Sequence, residues 1–135
     1  MRGRDGRRVW ATLAALGLLA GCGGSNSTVH LHGKVTLGGQ PIPADAKASI
    51  TFAPPGGSET KAVSVPIVNG EYDSPATPVG TLRAYFNITR EVGPLKKNER
   101  TGGEYRDEVN LVPPKTSTGV EVVVSGENLD QHFDL

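Results

Sequence analysis

Three histidines and one group of oxygen donors are the side chains of this 135-residue sequence whose types and spacing invite a chemical reading. His30 and His32 stand two residues apart, so an extended strand would project both rings from one face. Neutral imidazole nitrogens ligate zinc or copper, and His132 could add a third nitrogen. The plainer alternative is a pair of solvent-facing histidines on an outward strand face. It is the one adopted here, with no metal and no cofactor expected. Glu104, Asp107 and Glu108 are hard oxygen donors of the kind calcium takes. No EF-hand spacing accompanies them and Arg106 sits in their midst, so a solvated charged loop is the expectation. Nucleophilic catalysis finds no support, because no Gly-x-Ser-x-Gly elbow is present. No catalytic residue is assigned, and the chain is read as a non-enzyme.

Cys22 is the single cysteine, which excludes an internal disulfide and a cysteine-based zinc cluster. Its context suggests another use. Met1 to Arg8 carry four arginines and one aspartate, and a mostly apolar stretch runs from Val9 to Ala20. A basic segment followed by a short apolar one reads as a secretory signal, and twelve residues fall short of the roughly 20 that a membrane-crossing helix needs. Leu19-Ala20-Gly21-Cys22 closes that segment and looks like a bacterial lipobox. In such precursors cleavage makes the cysteine the new N-terminus, its thiol carries a diacylglycerol, and its amine is acylated, as by palmitate. Residues 1–21 are therefore expected to be a lipoprotein signal peptide, and residues 22–28 a lipidated cysteine with a flexible tether. Each buried CH₂ of an acyl chain contributes about 0.8 kcal/mol, and two or more chains anchor stably where one does not. The expected location is the bacterial cell envelope, lipid-anchored and facing the periplasm or the exterior. Gly23 stands where an inner-membrane retention signal would have aspartate, which favours the outer membrane.

Charge and aromatic content narrow the partners. The whole chain is formally neutral, but residues 1–21 hold four basic residues and one acidic residue. Their loss leaves ten against thirteen, a net charge of −3. That balance and the envelope location argue against nucleic acid. Trp10 is the only tryptophan and belongs to the signal, so a sugar platform would have to use Tyr72, Tyr85 or Tyr105. Tyr85 alternates outward beside Phe86 and is the candidate for binding a glycan.

The elements that must position these residues are strands. No segment repeats apolar residues at helical spacing for three turns, whereas period-two alternation recurs along residues 29–135. Val29, Leu31, Val35 and Leu37 share one face, and Gly38-Gly39-Gln40-Pro41 signals a turn. Ala48, Ile50 and Phe52 alternate next, then Val63, Val65 and Ile67, with Pro66 suggesting an edge position. Asn69-Gly70 reads as a tight hairpin. Leu82, Ala84, Phe86 and Ile88 form the clearest strand. Val120, Val122 and Val124 form another, and Phe133 with Leu135 close the chain. Thr89 to Asn110 departs from the pattern and is expected to be a long polar loop. Six to eight short strands with turns between them describe an all-β sandwich.

The order of these turns resembles that of a known family. Gly33-Lys34-Val35-Thr36 is followed by Gly39-Gln40-Pro41-Ile42-Pro43. Next come Ile50-Thr51-Phe52, Asn69-Gly70-Glu71-Tyr72, Pro78-Val79-Gly80-Thr81-Leu82-Arg83 and Leu111-Val112-Pro113-Pro114-Lys115. Phe133-Asp134-Leu135 ends the series. Residues 29–135 thus resemble carboxypeptidase-regulatory-like domains and are similar to the small lipoproteins of that type found in planctomycetes. The resemblance implies a seven-stranded transthyretin-like (prealbumin-like) β-sandwich and an envelope location, with no activity attached. Hydroxyisourate hydrolase, an enzymatic transthyretin-like relative, ends in Tyr-Arg-Gly-Ser where this chain has His132-Phe133-Asp134-Leu135. A structural or protein-interaction role is therefore expected, with glycan or peptide binding as the alternative.

Overall fold

Alternation along the chain becomes alternation of burial in the computed structural model, which describes residues 27–56, 62–127 and 129–135. Strand β1 (Thr28–Leu37) buries Leu31 and Val35 and exposes His30, His32 and Lys34. The same logic produces β3 (Ala46–Ala53), β4 (Val63–Val68), the first half of β6 (Gly80–Lys97) and β8 (Val120–Val124), whereas β5 (Glu71–Pro78) and β7 (Glu104–Asn110) depart from it. Two-residue strands, β2 (Gln40–Pro41) and β9 (Phe133–Asp134), complete the set, so the described chain is all-β. Seven of the nine strands have five residues or more. Cys22, the apolar segment before it and residues 22–26 of the expected tether lie outside the described residues.

The strands form one sheet in the order β2-β1-β5-β4-β3-β6-β7, with β8 added to the first half of β6 and β9 running parallel to β1. All other strand pairings among the described residues are antiparallel, and an isolated parallel bridge joins His32 to Asp130. Strand β4 is the corner. Its Val63–Pro66 stretch pairs with β3, whereas Ile67 and Val68 pair with β5. Pro66 is registered with Ser49 alone, the one-sided position its missing N–H requires. At the β4–β5 turn Asn69 and Gly70 both take positive φ, 53° and 76°, as a two-residue hairpin demands.

The handover at β4 curls the sheet so that its inner face wraps one core. Phe52 on β3 meets Tyr72 on β5 with ring centroids 5.7 Å apart, and Phe133 meets Phe86 at 5.2 Å. These rings belong to strands that share no hydrogen bonds, so side-chain packing holds the curl. Leu31, Ile50, Ile88, Val124 and Leu135 fill the remainder, each worth about 1.5–3 kcal/mol on burial.

Strand β5 departs from simple alternation. Val29 faces Thr77 and Leu31 faces Ser74, so three steps on β5 match two on β1. This β-bulge turns both Ser74 and Thr77 inward, where a strict period of two would separate them. The two are fully buried, and the Thr77 hydroxyl donates to Ser74 Oγ at 2.7 Å.

The segment Thr89–Asn110 is not the loop expected from its polarity. It is a two-stranded ribbon made by the second half of β6 and all of β7, with Thr89 opposite Asn110 and Lys97 opposite Glu104. Its polarity reflects exposure on both faces rather than the absence of strand structure. Among the described residues, β7 is the only strand registered with β6 beyond Arg90. At the tip the Asn98 carboxamide accepts from the backbone N–H groups of Arg100 and Thr101, forming the turn.

The C-terminal segment closes the sheet edge. Asp134 accepts the Gly39 N–H at 2.7 Å and the Thr36 hydroxyl at 2.9 Å. The Gly39 N–H first, then the Thr36 hydroxyl, hold its carboxyl below the usual aspartate range. A depressed folded-state value contributes stability above the ordinary carboxylate range, and that contribution is lost as pH falls through the folded value. Asp134→Asn should therefore lower the urea midpoint at pH 7, and the gap from the parent should close near pH 3. A gap that persisted unchanged in acid would contradict this.

Candidate functional site

The outward face of β1 carries bases and its neighbours carry acids. Strand β5 lies on one side, and the Leu129–Leu135 segment lies on the other. The His32 N–H donates to the Leu129 carbonyl at 3.0 Å, and Gln131 N–H donates to the His32 carbonyl at 2.9 Å. His30, His32 and Lys34 consequently sit between Glu71 and Asp73 on β5 and Asp130 and His132 on the terminal segment. Together with Pro66, Val68, Asn69 and Tyr72 they line a shallow groove of about 670 Å³.

Pairing within the groove is specific. His30 Nε2 bonds to Asp73 Oδ1. Lys34 and Glu71 are registered directly opposite, with Nζ and Oε1 3.9 Å apart. Asp130 Oδ1 lies 3.7 Å from His32 Nδ1 and 3.4 Å from His132 Nε2. Lys34 donates its backbone N–H to His132 Nδ1 at 2.9 Å. The floor is the Tyr72 ring, whose hydroxyl donates to the Gln131 carbonyl at 2.7 Å. Burial first, and the Asp130 charge second, raise the Tyr72 hydroxyl well above the usual phenol range. It is a structural donor rather than an acid.

The structure thus brings the three histidines to one surface, as a metal site would require, but hydrogen bonds occupy one nitrogen of His30 and one of His132. His132 Nδ1 accepts from a backbone N–H, so the neutral ring carries its proton on Nε2 and offers neither nitrogen to a cation. His30 Nε2 is bound to Asp73. Among the described residues no group of three or more His, Cys, Asp or Glu side chains is arranged to hold a metal ion. Among the described residues the groove lining contains no serine, threonine or cysteine, and its one hydroxyl, that of Tyr72, donates to the Gln131 carbonyl.

The other candidates are dispersed. Glu104 and Glu108 lie on one face of β7 and Asp107 on the other, so the three carboxylates cannot converge on one cation. Asp107 instead pairs with Lys96 at 2.6 Å. Tyr85 does face outward and is exposed. It stands in one cross-strand row with Thr51 and Ser64, whose hydroxyls bond at 2.9 Å. One edge of its ring is covered at Gly119, where a Cβ would lie 3.0 Å from the ring and 2.6 Å from Arg83.

Three contributors, two acids and a glycine, are hidden from sequence reasoning. Asp73 and Asp130 are isolated acids on β5 and the terminal segment, and only the pairing of both with β1 brings them to the histidines. Gly33 is the third. A Cβ there would lie 1.9 Å from the Gln131 carbonyl oxygen, so glycine is what lets the terminal segment approach β1. No protein-family model, curated protein or solved structure matches the chain.

Two substitutions probe the groove floor. Tyr72→Phe removes the donor to Gln131 and should cost about 1 kcal/mol in denaturant unfolding. Gly33→Ala must push the terminal segment away and should cost about 1–3 kcal/mol, with hydrogen-exchange protection lost at the amides of Gln131 and Leu135. Parent-like protection in Gly33→Ala would show that the approach is not tight.

Proposed function

We propose that this chain is a lipid-anchored cell-envelope protein whose non-catalytic β-domain serves as a structural or protein-interaction module. The carrying observation is the ribbon of β6 and β7. Two-stranded ribbons are marginal in water on their own. This one is braced by charge pairs: Lys96 with Asp107, Arg90 with Asp45, and Lys47 with both Glu91 and Glu108. It presents Leu95, Tyr105 and Val109, all exposed, on an arm free of core duties. Exposed aromatic and aliphatic side chains amid charge are the composition of a protein contact surface.

A transthyretin-like sandwich is the finer fold reading. Seven long strands, a sheet curled around one core and the order of turns support it. The anchor reading rests on the Leu19-Ala20-Gly21-Cys22 motif. The described chain begins at Ser27, whose carbonyl accepts the Val79 N–H at 3.0 Å. A Gly/Ser-type chain of about five residues spans on the order of 12 Å, which would keep the domain beside the lipid. Glycan or peptide binding at the Tyr85 face is the second reading, favoured by the row of Ser64, Thr51 and Tyr85.

Cys22→Ala should shift the protein from the membrane pellet to the soluble fraction, and a mutant that still pelleted would remove the anchor reading. Replacing residues 93–106 by Asn-Gly should leave the fold intact, because none of these residues enters the core. Crosslinking in envelopes should then lose the defined protein partners captured by the parent. Saturable binding to a glycan array, abolished by Tyr85→Ala and unaffected by the ribbon replacement, would favour the second reading instead.

A further inference from the structure

The bond between Lys34 and His132 is conditional on protonation. Nδ1 of His132 can accept the Lys34 N–H, at 2.9 Å, only while it carries a lone pair. The neutral ring must then hold its proton on Nε2, directed toward Asp130 Oδ1 at 3.4 Å. Protonation adds a hydrogen to Nδ1 and sets two donors against each other. The ring is largely exposed and free to turn away.

The groups facing His132 decide where it goes. From β1 these are His30, His32 and Lys34; from β5, Glu71, Asp73 and the Tyr72 phenol; from the terminal segment itself, Asp130. With neutral imidazoles, three carboxylates against one ammonium leave the groove at minus two. Three imidazolium charges carry it to plus one. Asp130 is the carboxylate nearest His132, and His32 Nδ1 approaches the same oxygen at 3.7 Å. An imidazolium at His132 is therefore drawn toward Asp130 as it loses Lys34.

We propose that His132 is a proton-operated catch between β1 and the C-terminal segment, closed on the Lys34 N–H when neutral and released from it, with Asp130 as its remaining partner, when charged. The catch is local. The backbone bonds from Gln131 N–H to the His32 carbonyl and from Leu135 N–H to the Thr36 carbonyl do not involve a titrating group, so the terminal segment loosens at His132 without leaving.

Amide exchange and imidazole ¹⁵N NMR on the folded protein test it. At pH 7.5 His132 should show the Nε2–H tautomer. As the pH is lowered until the ¹⁵N signals report a protonated His132 ring, Lys34 should lose protection. After correction for intrinsic rates the loss should be about tenfold, that of one hydrogen bond. In His132→Gln the Lys34 protection should be flat with pH. A neutral ring protonated on Nδ1 at pH 7.5 would overturn the catch. So would an equal loss at Lys34 in His132→Gln, or protection of Ile50 at the centre of β3 falling in step with Lys34.

Discussion

Everything at the closed edge of the sheet depends on how near the C-terminal segment can come to β1. The limiting contact is backbone on backbone: the Gln131 carbonyl occupies the space that a side chain at residue 33 would fill. From that approach follow the Tyr72 hydrogen bond to the same carbonyl, the parallel pairing of Val35 with Phe133, and the placement of Phe133 among Phe52, Tyr72 and Phe86. The aromatic cluster is what bridges the two sides of the curl. A missing methyl on β1 therefore governs packing in the middle of the core, through a terminal strand only two residues long.

Legibility in the sequence followed the physics of each element. Strands with one buried face, such as Leu82 to Ile88 or Val120 to Val124, announce themselves by alternation, and Asn69-Gly70 announces its turn by tolerance of positive φ. Strand β5 is announced in the sequence only by the Asn69-Gly70 turn before it and by Tyr72, its one large inward side chain. Its inward residues beyond that are Ser74 and Thr77, polar and three apart, because a bulge shifts the register and the two hydroxyls satisfy one another. No hydropathy pattern carries that information. The ribbon was misread for the opposite reason. A strand pair exposed on both faces has no apolar face to report, and the three residues Gly93-Pro94-Leu95 interrupt its register with β7.

The histidine groove shows the same division. That His30 and His32 share a face is local geometry and could be read from their spacing. That His132 joins them depends on a parallel pairing across nearly the whole chain. What the nitrogens then do is decided by partners invisible in sequence, namely Asp73, Asp130 and the backbone of Lys34. Three nearby histidines look like a metal site in outline. The hydrogen bonds made by the His30 and His132 rings tie them to the seam, so proximity of ligand types alone is a poor guide to metal binding.

The ribbon carries an electrostatic tension whose resolution bears on its use. Glu91 and Glu108 stand directly opposite one another, a like-charge pairing that destabilises strands. Lys47, reaching from β3, lies 2.7 Å from one and 3.6 Å from the other. Its hydrogen bond and charge hold the Glu91 carboxyl below the usual range. The base of the arm is thereby fixed to the body of the sheet, while the arm beyond it stays free. Strand β7 ends the sheet order and would template further pairing if it were apolar. Glu104, Arg106, Asp107 and Glu108 along it disfavour indiscriminate strand addition. Tyr105 and Val109 interrupt that charge on one face, where only a partner with matching chemistry would gain by covering them. An arm braced at its root, charged along its edge and apolar at a few points is built for selective contact.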